Sequence, residues 1–118
     1  MRKFEFADHV VGFIVDSNID VELVENVKDQ VDALLDKHKK ISLYFEDNSP
    51  NPLDIGAAFS DLSYEIDQRK RFNRIALVSD KSIMYFYSKV KSMFMTAEVR
   101  SFKHKDRLDA LNWVSNDV

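Results

Sequence analysis

Apolar and polar positions along this chain switch repeatedly between a two-residue and a three-to-four-residue period, and each switch marks the edge of an element. Residues 3–6 and 10–16 are short β-like runs parted by Ala7-Asp8-His9, the pattern of a hairpin. The second run, VVGFIV, is apolar at successive positions and predicts a strand covered on both faces. Asp20 stands where a helix N-cap belongs. Over residues 21–38 the set Val24, Val27, Val31, Leu34 and Leu35 recurs at intervals of three and four, with charges between, which predicts an amphipathic helix. Lys37-His38-Lys39-Lys40 follows, placing cations where the helix dipole favours them. ISLYF at 41–45 reads as the next strand, and residues 46–52 as a loop built on Pro and Asx chemistry.

Residues 53–68 predict a second helix with Ile55, Phe59, Leu62 and Ile66 on one face and Tyr64 on the other. RIALVS at 74–79 reads as a buried strand, 81–95 as a helix, EVRSF at 98–102 as a strand, and 105–114 as a last helix carrying Leu108, Leu111 and Trp113. This alternation predicts an α/β fold, with a mixed, mostly parallel sheet of about five strands, about four flanking helices and one antiparallel edge hairpin. With 118 residues and neither repeat nor linker, residues 1–118 are read as a single domain.

The third helix separates into two surfaces. With Ile83 at the origin, Ile83, Phe86, Tyr87, Val90, Met93 and Phe94 fall within an arc of about 120°, the stripe expected to face the core. Met84, Met95 and Tyr85 lie off that stripe, interleaved with Lys81, Lys89 and Lys91, on the side expected to meet solvent. That mixture suits either packing against a loop or second subunit, or an interfacial surface in which Lys stems reach out while Met and Tyr enter an apolar layer.

Composition narrows the functional classes. A hydrophobic content of 45%, a charged content of 31% and only two Gly and two Pro indicate a packed globule rather than a disordered chain. The absence of Cys removes disulfides, thiolate catalysis and zinc–thiolate sites, and suits a reducing cytoplasm. No apolar run approaches the roughly 20 residues needed to cross a bilayer, so membrane contact is expected to be peripheral, at the inner membrane. Charge sharpens the picture: residues 69–97 carry seven Lys or Arg against the single acid Asp80, a net of +6 in a chain of −3. A basic, aromatic segment in an acidic chain favours an anionic lipid, an acidic ligand or an acidic protein face. The candidate membrane or partner surface is therefore Arg69, Lys70, Arg71, Lys81, Met84, Tyr85, Lys89, Lys91 and Met95.

Chemistry-bearing motifs are sparse. His9, His38 and His104 show no metal-ligand spacing, so no metal site is expected. Two glycines cannot build the usual phosphate-cradling loop, and no cofactor is expected. Glu46, Asp47 and His104 are the residues an enzyme would use, but adjacent acids after a strand are more often solvated or capping. Arg69-Lys70-Arg71 with Phe72 and Arg74 resembles a small nucleic-acid patch, yet a pI near 5.6 and the lack of a second basic stripe argue against nucleic acid as partner.

Phe72-Asn73-Arg74-Ile75-Ala76-Leu77-Val78-Ser79-Asp80-Lys81, then Ala97-Glu98-Val99-Arg100-Ser101-Phe102 and Ala110-Leu111-Asn112-Trp113, together resemble the SpoIIAA-like family of the STAS-type fold. Val10-Val11-Gly12-Phe13 and Ile41-Ser42-Leu43-Tyr44-Phe45 match its early strands. The resemblance implies a non-enzymatic domain. Relatives act as anti-sigma-factor antagonists, as cytoplasmic domains of anion transporters or, by similarity to CRAL-TRIO carriers, as binders of hydrophobic molecules. The antagonists' phosphorylated Asp-Ser-x-Gly turn is matched by Asp47-Asn48-Ser49-Pro50, which leaves Ser49 as the candidate acceptor, and Ile83 stands where the family has Trp. The leading expectation is a module that holds a small hydrophobic or lipid-like ligand under the third helix, against Phe59, Leu62, Phe86, Val90 and Phe94. Its basic surface would dock on an anionic membrane. The alternative is a regulatory module presenting the Ser49 loop to a protein. A homodimer is expected because Met84, Tyr85, Met95 and Tyr64 exceed what one small core hides.

Overall fold

The computed structural model of the chain describes all residues except Leu53, Asp117 and Val118, and of Ile55, Phe59 and Ile66 it describes the backbone alone. The strands are β1 (Arg2–Ala7), β2 (Val10–Val15), β3 (Ile41–Asp47), β4 (Phe72–Val78) and β5 (Glu98–Phe102). The helices are α1 (Val21–Leu35), α2 (Ile55–Asp67), α3 (Ser82–Phe94) and α4 (Arg107–Ser115), with short 3-10 turns at Arg69–Arg71 and His104–Asp106. The order of elements and the mixed α/β architecture agree with the sequence reading, and boundaries move by one to three residues.

The five strands lie side by side in chain order, β1-β2-β3-β4-β5. β1 runs antiparallel to β2, and every later pairing is parallel. Because each parallel crossover steps to the adjacent strand with the same hand, α1, α2 and α3 are laid on one face and α4 alone on the other. Alternation along the strands then feeds two cores. Val11, Phe13, Leu43, Ile75 and Leu77 face the three crossover helices, meeting Val27, Val31 and Leu35 of α1. Val10, Tyr44, Ala76 and Val78 face α4 through Ala110 and Val114. Phe4 lies across Gly12, where a Cβ would stand 2.2 Å from the ring, so this close approach of β1 requires glycine.

Helix α1 starts as expected, with the Asp20 carboxylate accepting from the Leu23 N–H at 2.9 Å. Its end differs. The helix stops at Leu35, before the Lys-rich run, and the Arg71 guanidinium donates to its last carbonyl, Leu35 O, at 2.7 Å and to two carbonyls of the run that follows, Lys39 O at 2.7 Å and His38 O at 3.1 Å. Arg74 treats the end of α4 in the same way, donating to the carbonyls of Trp113 at 2.7 Å and Asn116 at 2.9 Å while stacking 4.9 Å from the Trp113 ring.

Candidate functional site

α3 lies along β5, the last strand of the sheet. It is rotated about 130° around its axis from the orientation that its apolar stripe predicts. Inward go Met84, Ser88, Lys91 and the C-cap Met95, with Tyr87 half-buried. Outward go Ile83, Phe86, Met93 and Phe94, of which Phe86 is 64% and Met93 79% exposed. The expected ligand-lining set is therefore dispersed: Phe86 and Phe94 face solvent, Leu62 and Val90 are half-buried, and the Phe59 side chain lies outside the described residues. Of the expected surface set, Met84, Lys91 and Met95 are buried, and Arg71 and Lys81 are held by contacts within the fold. Tyr85 and Lys89 are exposed as expected, the ammonium 5.2 Å from the ring centre. Arg69 and Lys70 are exposed too, on the turn between α2 and β4.

The reason for the rotation is a cluster that periodicity does not count. Asp61 and Glu65 sit one turn apart on α2, and Lys91 Nζ reaches between them, 3.1 Å from Asp61 Oδ2 and 2.5 Å from Glu65 Oε2. Tyr87 donates to the same Asp61 oxygen. Lys91 is 1% exposed and Glu65 2%, while Asp61 is partly exposed, so the two acids of α2 give the buried ammonium its partners and α3 is turned to deliver it. Burial, then the neighbouring Asp61, push the Glu65 carboxyl up to about 8. Burial alone would pull Lys91 down, but Asp61 and Glu65 outweigh it and hold the ammonium above its ordinary value. Burial and the same two acids also raise the Tyr87 phenol. Tyr64, expected on the outer face of α2, instead turns toward α1 and donates to Asp32 at 2.5 Å. The signal for this cluster was present in the sequence as two acids, Asp61 and Glu65, at i and i+4 among the apolar residues of the α2 segment.

The space enclosed between α1, α2, α3 and the sheet amounts to ≈ 40 Å³, and its walls include Asp61, Glu65 and Lys91 beside Ile19, Leu43 and Met84. Small-molecule sites generally hold about 300 Å³ or more, so this interior has room for little beyond a water.

A second polar assembly occupies the carboxyl ends of β3 and β4. Asp47, 2% exposed, accepts from the Ser49 N–H at 2.9 Å and the Ser49 hydroxyl at 2.5 Å. It also pairs with Lys81 Nζ at 3.2 Å. Lys81 further donates to Ser49 Oγ at 2.7 Å and to the Asn51 carbonyl at 2.6 Å, pinning the β3–α2 loop. Ser49 is thus a buried hydroxyl wedged between a carboxylate and an ammonium. A phosphate placed there would sit against Asp47, so the candidate acceptor is in a poor setting for modification. Glu46, on the opposite face of β3, accepts from Tyr44 OH at 2.6 Å, Asn48 Nδ2 at 2.9 Å and Arg107 at 3.1 Å. Burial opposes ionisation of Glu46, but those donors with the Arg107 and His104 charges prevail, and its pKa lies below the ordinary value. His104 touches Asn48 through Nε2 and Asp80 through Nδ1 at 3.0 Å. The acids and histidine that an enzyme would use are therefore each engaged with a neighbour, and Glu46 and Asp47 point to opposite sides of the sheet.

Fold and site define a small α/β binding or regulatory domain with a filled interior, a rigid polar strand end and an apolar helix face turned outward. The chain belongs to the SpoIIAA-like family, whose model matches residues 10–115. A similar fold is seen in the crystal structure of an uncharacterized protein of the DUF3478 family with a SpoIIAA-like fold, from Shewanella loihica PV-4. It has TM-score 0.70 and 22% identity, over 89% of this chain and 83% of that one. No curated protein matches the chain. Among the described residues, no helix is long and apolar enough to cross a membrane.

Proposed function

We propose that this protein is a non-enzymatic regulatory module that docks an amphipathic helix of a partner protein on the outer face of α3. The observation that carries the reading is the stripe of exposed Ile83, Phe86 and Met93 with half-buried Val90 among them, spaced three, four and three, and exposed Phe94 beside it. That is the seam spacing by which one helix receives another. Charge selects a protein over an anionic bilayer: of the seven cations between residues 69 and 97, Arg71, Arg74, Lys81 and Lys91 are committed to partners within the fold. The clustered charge that peripheral lipid binding needs, about 1 kcal/mol per residue, is correspondingly reduced. A hydrophobic ligand carried inside would need a cavity far larger than ≈ 40 Å³. Non-enzymatic action is supported by the separate engagement of Glu46 with Tyr44, Asp47 with Lys81 and His104 with Asp80.

The test is photo-cross-linking in living cells from a photoreactive residue at position 86. Adducts on a polypeptide that disappear with Val90→Glu are expected; adducts on lipid alone, or none, would overturn the proposal.

A further inference from the structure

The two edges of the sheet are finished differently. β1 carries a bulge between Glu5 and Ala7, an irregularity that breaks the ladder and discourages pairing. β5 keeps regular register with β4 from Glu98 through Phe102 and, among the described residues, has no strand on its outer side. A regular, uncovered edge offers its backbone N–H and C=O groups to another strand unless side chains forbid it. On β5 the exposed residues are Glu98, 3.8 Å from Arg74, and Arg100, whose guanidinium lies over the Phe102 and Trp113 rings; both share the α4 face with Phe102 and would exchange these exposed contacts for a seam with another strand. Val99 and Ser101 face α3.

We infer that β5 pairs antiparallel with β5 of a second copy of this chain, on a two-fold axis through Val99. This surface is separate from the outer stripe of α3 and stands independently of the docking reading above. In that register Glu98 lies opposite Arg100 of the other copy, twice by symmetry, Val99 lies opposite Val99, and Ala97 opposite Ser101. Opposite charges directly across an antiparallel pair stabilise it. Moving the two-fold axis by one residue, a register slip of two, sets Arg100 against Arg100, which disfavours that alternative. The strand's own charges therefore select one self-complementary arrangement, as an isologous contact requires. The groove between β5 and α3 supports the approach: it holds ≈ 210 Å³, and Ser88, Ser92, Val99 and Ser101 line it together with Tyr85, Lys89 and Arg100. Small hydroxyl residues there leave room for a neighbouring strand at the usual spacing of about 4.8 Å.

The chain has no cysteine, so a single introduced thiol reports cleanly. Directly opposed residues of an antiparallel pair have Cα atoms about 4.5 to 5.5 Å apart, within the range that a disulfide spans. Val99→Cys is expected to oxidise to a covalent dimer, whereas Asn112→Cys on α4 stays unlinked. Sedimentation of the unmodified chain is expected to give twice the 13.8 kDa mass. Glu98→Arg and Arg100→Glu should each weaken association on the order of tenfold, since each sets two like-charged pairs across the seam. Combining the two substitutions restores opposite pairs and should recover most of the affinity. A monomer at the highest soluble concentration overturns the inference, as does a dimer indifferent to both single exchanges or a thiol at 99 that links only to other proteins. Loss of the position-86 adducts with dimerisation intact would remove the docking reading and leave this one standing.

Discussion

α1 and α3 lie on the same face of one sheet and are seated by opposite rules. α1 buries Val24, Val27, Val31 and Leu35 and turns its charges to water. α3 buries Lys91, Ser88 and Met84 and turns Ile83, Phe86, Met93 and Phe94 to water. Underneath α1 is the middle of the sheet, where Val11, Phe13 and Leu43 give a valine stripe something to cover. Underneath α3 is the last strand, offering Val99 and little else, while Asp61 and Glu65 wait on the flanking α2. Hydrocarbon seats a helix where the sheet supplies hydrocarbon. At the edge, the partly exposed Asp61 and the buried Glu65 decide, because a buried ammonium left without partners costs more than an exposed Phe.

The largest effect should come from removing the group that seats α3. Lys91→Ala leaves Asp61 and Glu65 facing one another in a buried site and is expected to cost about 3 to 5 kcal/mol in urea unfolding. Adding Glu65→Gln should recover a good part of that loss. If Lys91→Ala proves as mild as a surface substitution, the ion cluster does not orient α3 and the contrast with α1 fails.

The same cluster sets a pH dependence. In the unfolded chain the Glu65 carboxyl titrates near its ordinary 4.5, and in the fold only near 8. Between those values the folded protein holds a proton that the unfolded chain has released, so stability falls as pH rises. Lys91, raised in the fold, contributes in the other range: its stabilisation is present at neutral pH and is lost in strong alkali. Unfolding measured from pH 5 to 9 should show the decline, and Glu65→Gln should flatten it. A Glu65→Gln variant with an unchanged slope would assign the pH dependence to other groups.

A smaller loss is expected at the far end of α1. Arg71→Ala removes the guanidinium from three carbonyls, and about 2 kcal/mol is expected from hydrogen bonds to a charged donor. Arg71→Lys should recover little, since an ammonium does not present the same planar fork. Thermal unfolding of the two variants separates a geometric cap from a merely electrostatic one. An Arg71→Lys variant as stable as the parent chain would make dipole attraction the main contribution.

These contrasts also explain what the sequence disclosed. The succession of elements, the Asp20 cap and the α1 face were legible because they depend on short-range pattern: the apolar run VVGFIV, spacing of three and four in α1. The orientation of α3 was not, because it depends on Asp61 and Glu65, some thirty residues upstream, meeting Lys91 in space. Arg71 and Arg74 posed the same difficulty. As sequence they form part of a basic patch, and only the fold reveals that each closes a distant helix. Ser49 was correctly placed in a loop, but its burial between Asp47 and Lys81 depends on a contact across 32 positions.

The smallest effect on folding, and the sharpest on the comparison, should come from the outer face of α3. Phe86 and Met93 lie mostly in water, so Phe86→Ser with Met93→Ser removes hydrocarbon that the fold does not bury. Stability is expected to change by no more than about 0.5 kcal/mol, as for other surface substitutions. Serine's lower helix propensity takes away a few tenths, and less apolar surface in water offsets little of it. What should change is association, because the stripe's spacing suits another helix whether or not this chain needs it to fold. Urea unfolding read beside the yield of position-86-type adducts, collected from a reporter at Val90 in this variant, separates the two roles. A loss above about 2 kcal/mol would be the cost of a core deletion. In that case Phe86 and Met93 are packed in solution, α3 is seated by hydrocarbon after all, and the two helices obey one rule.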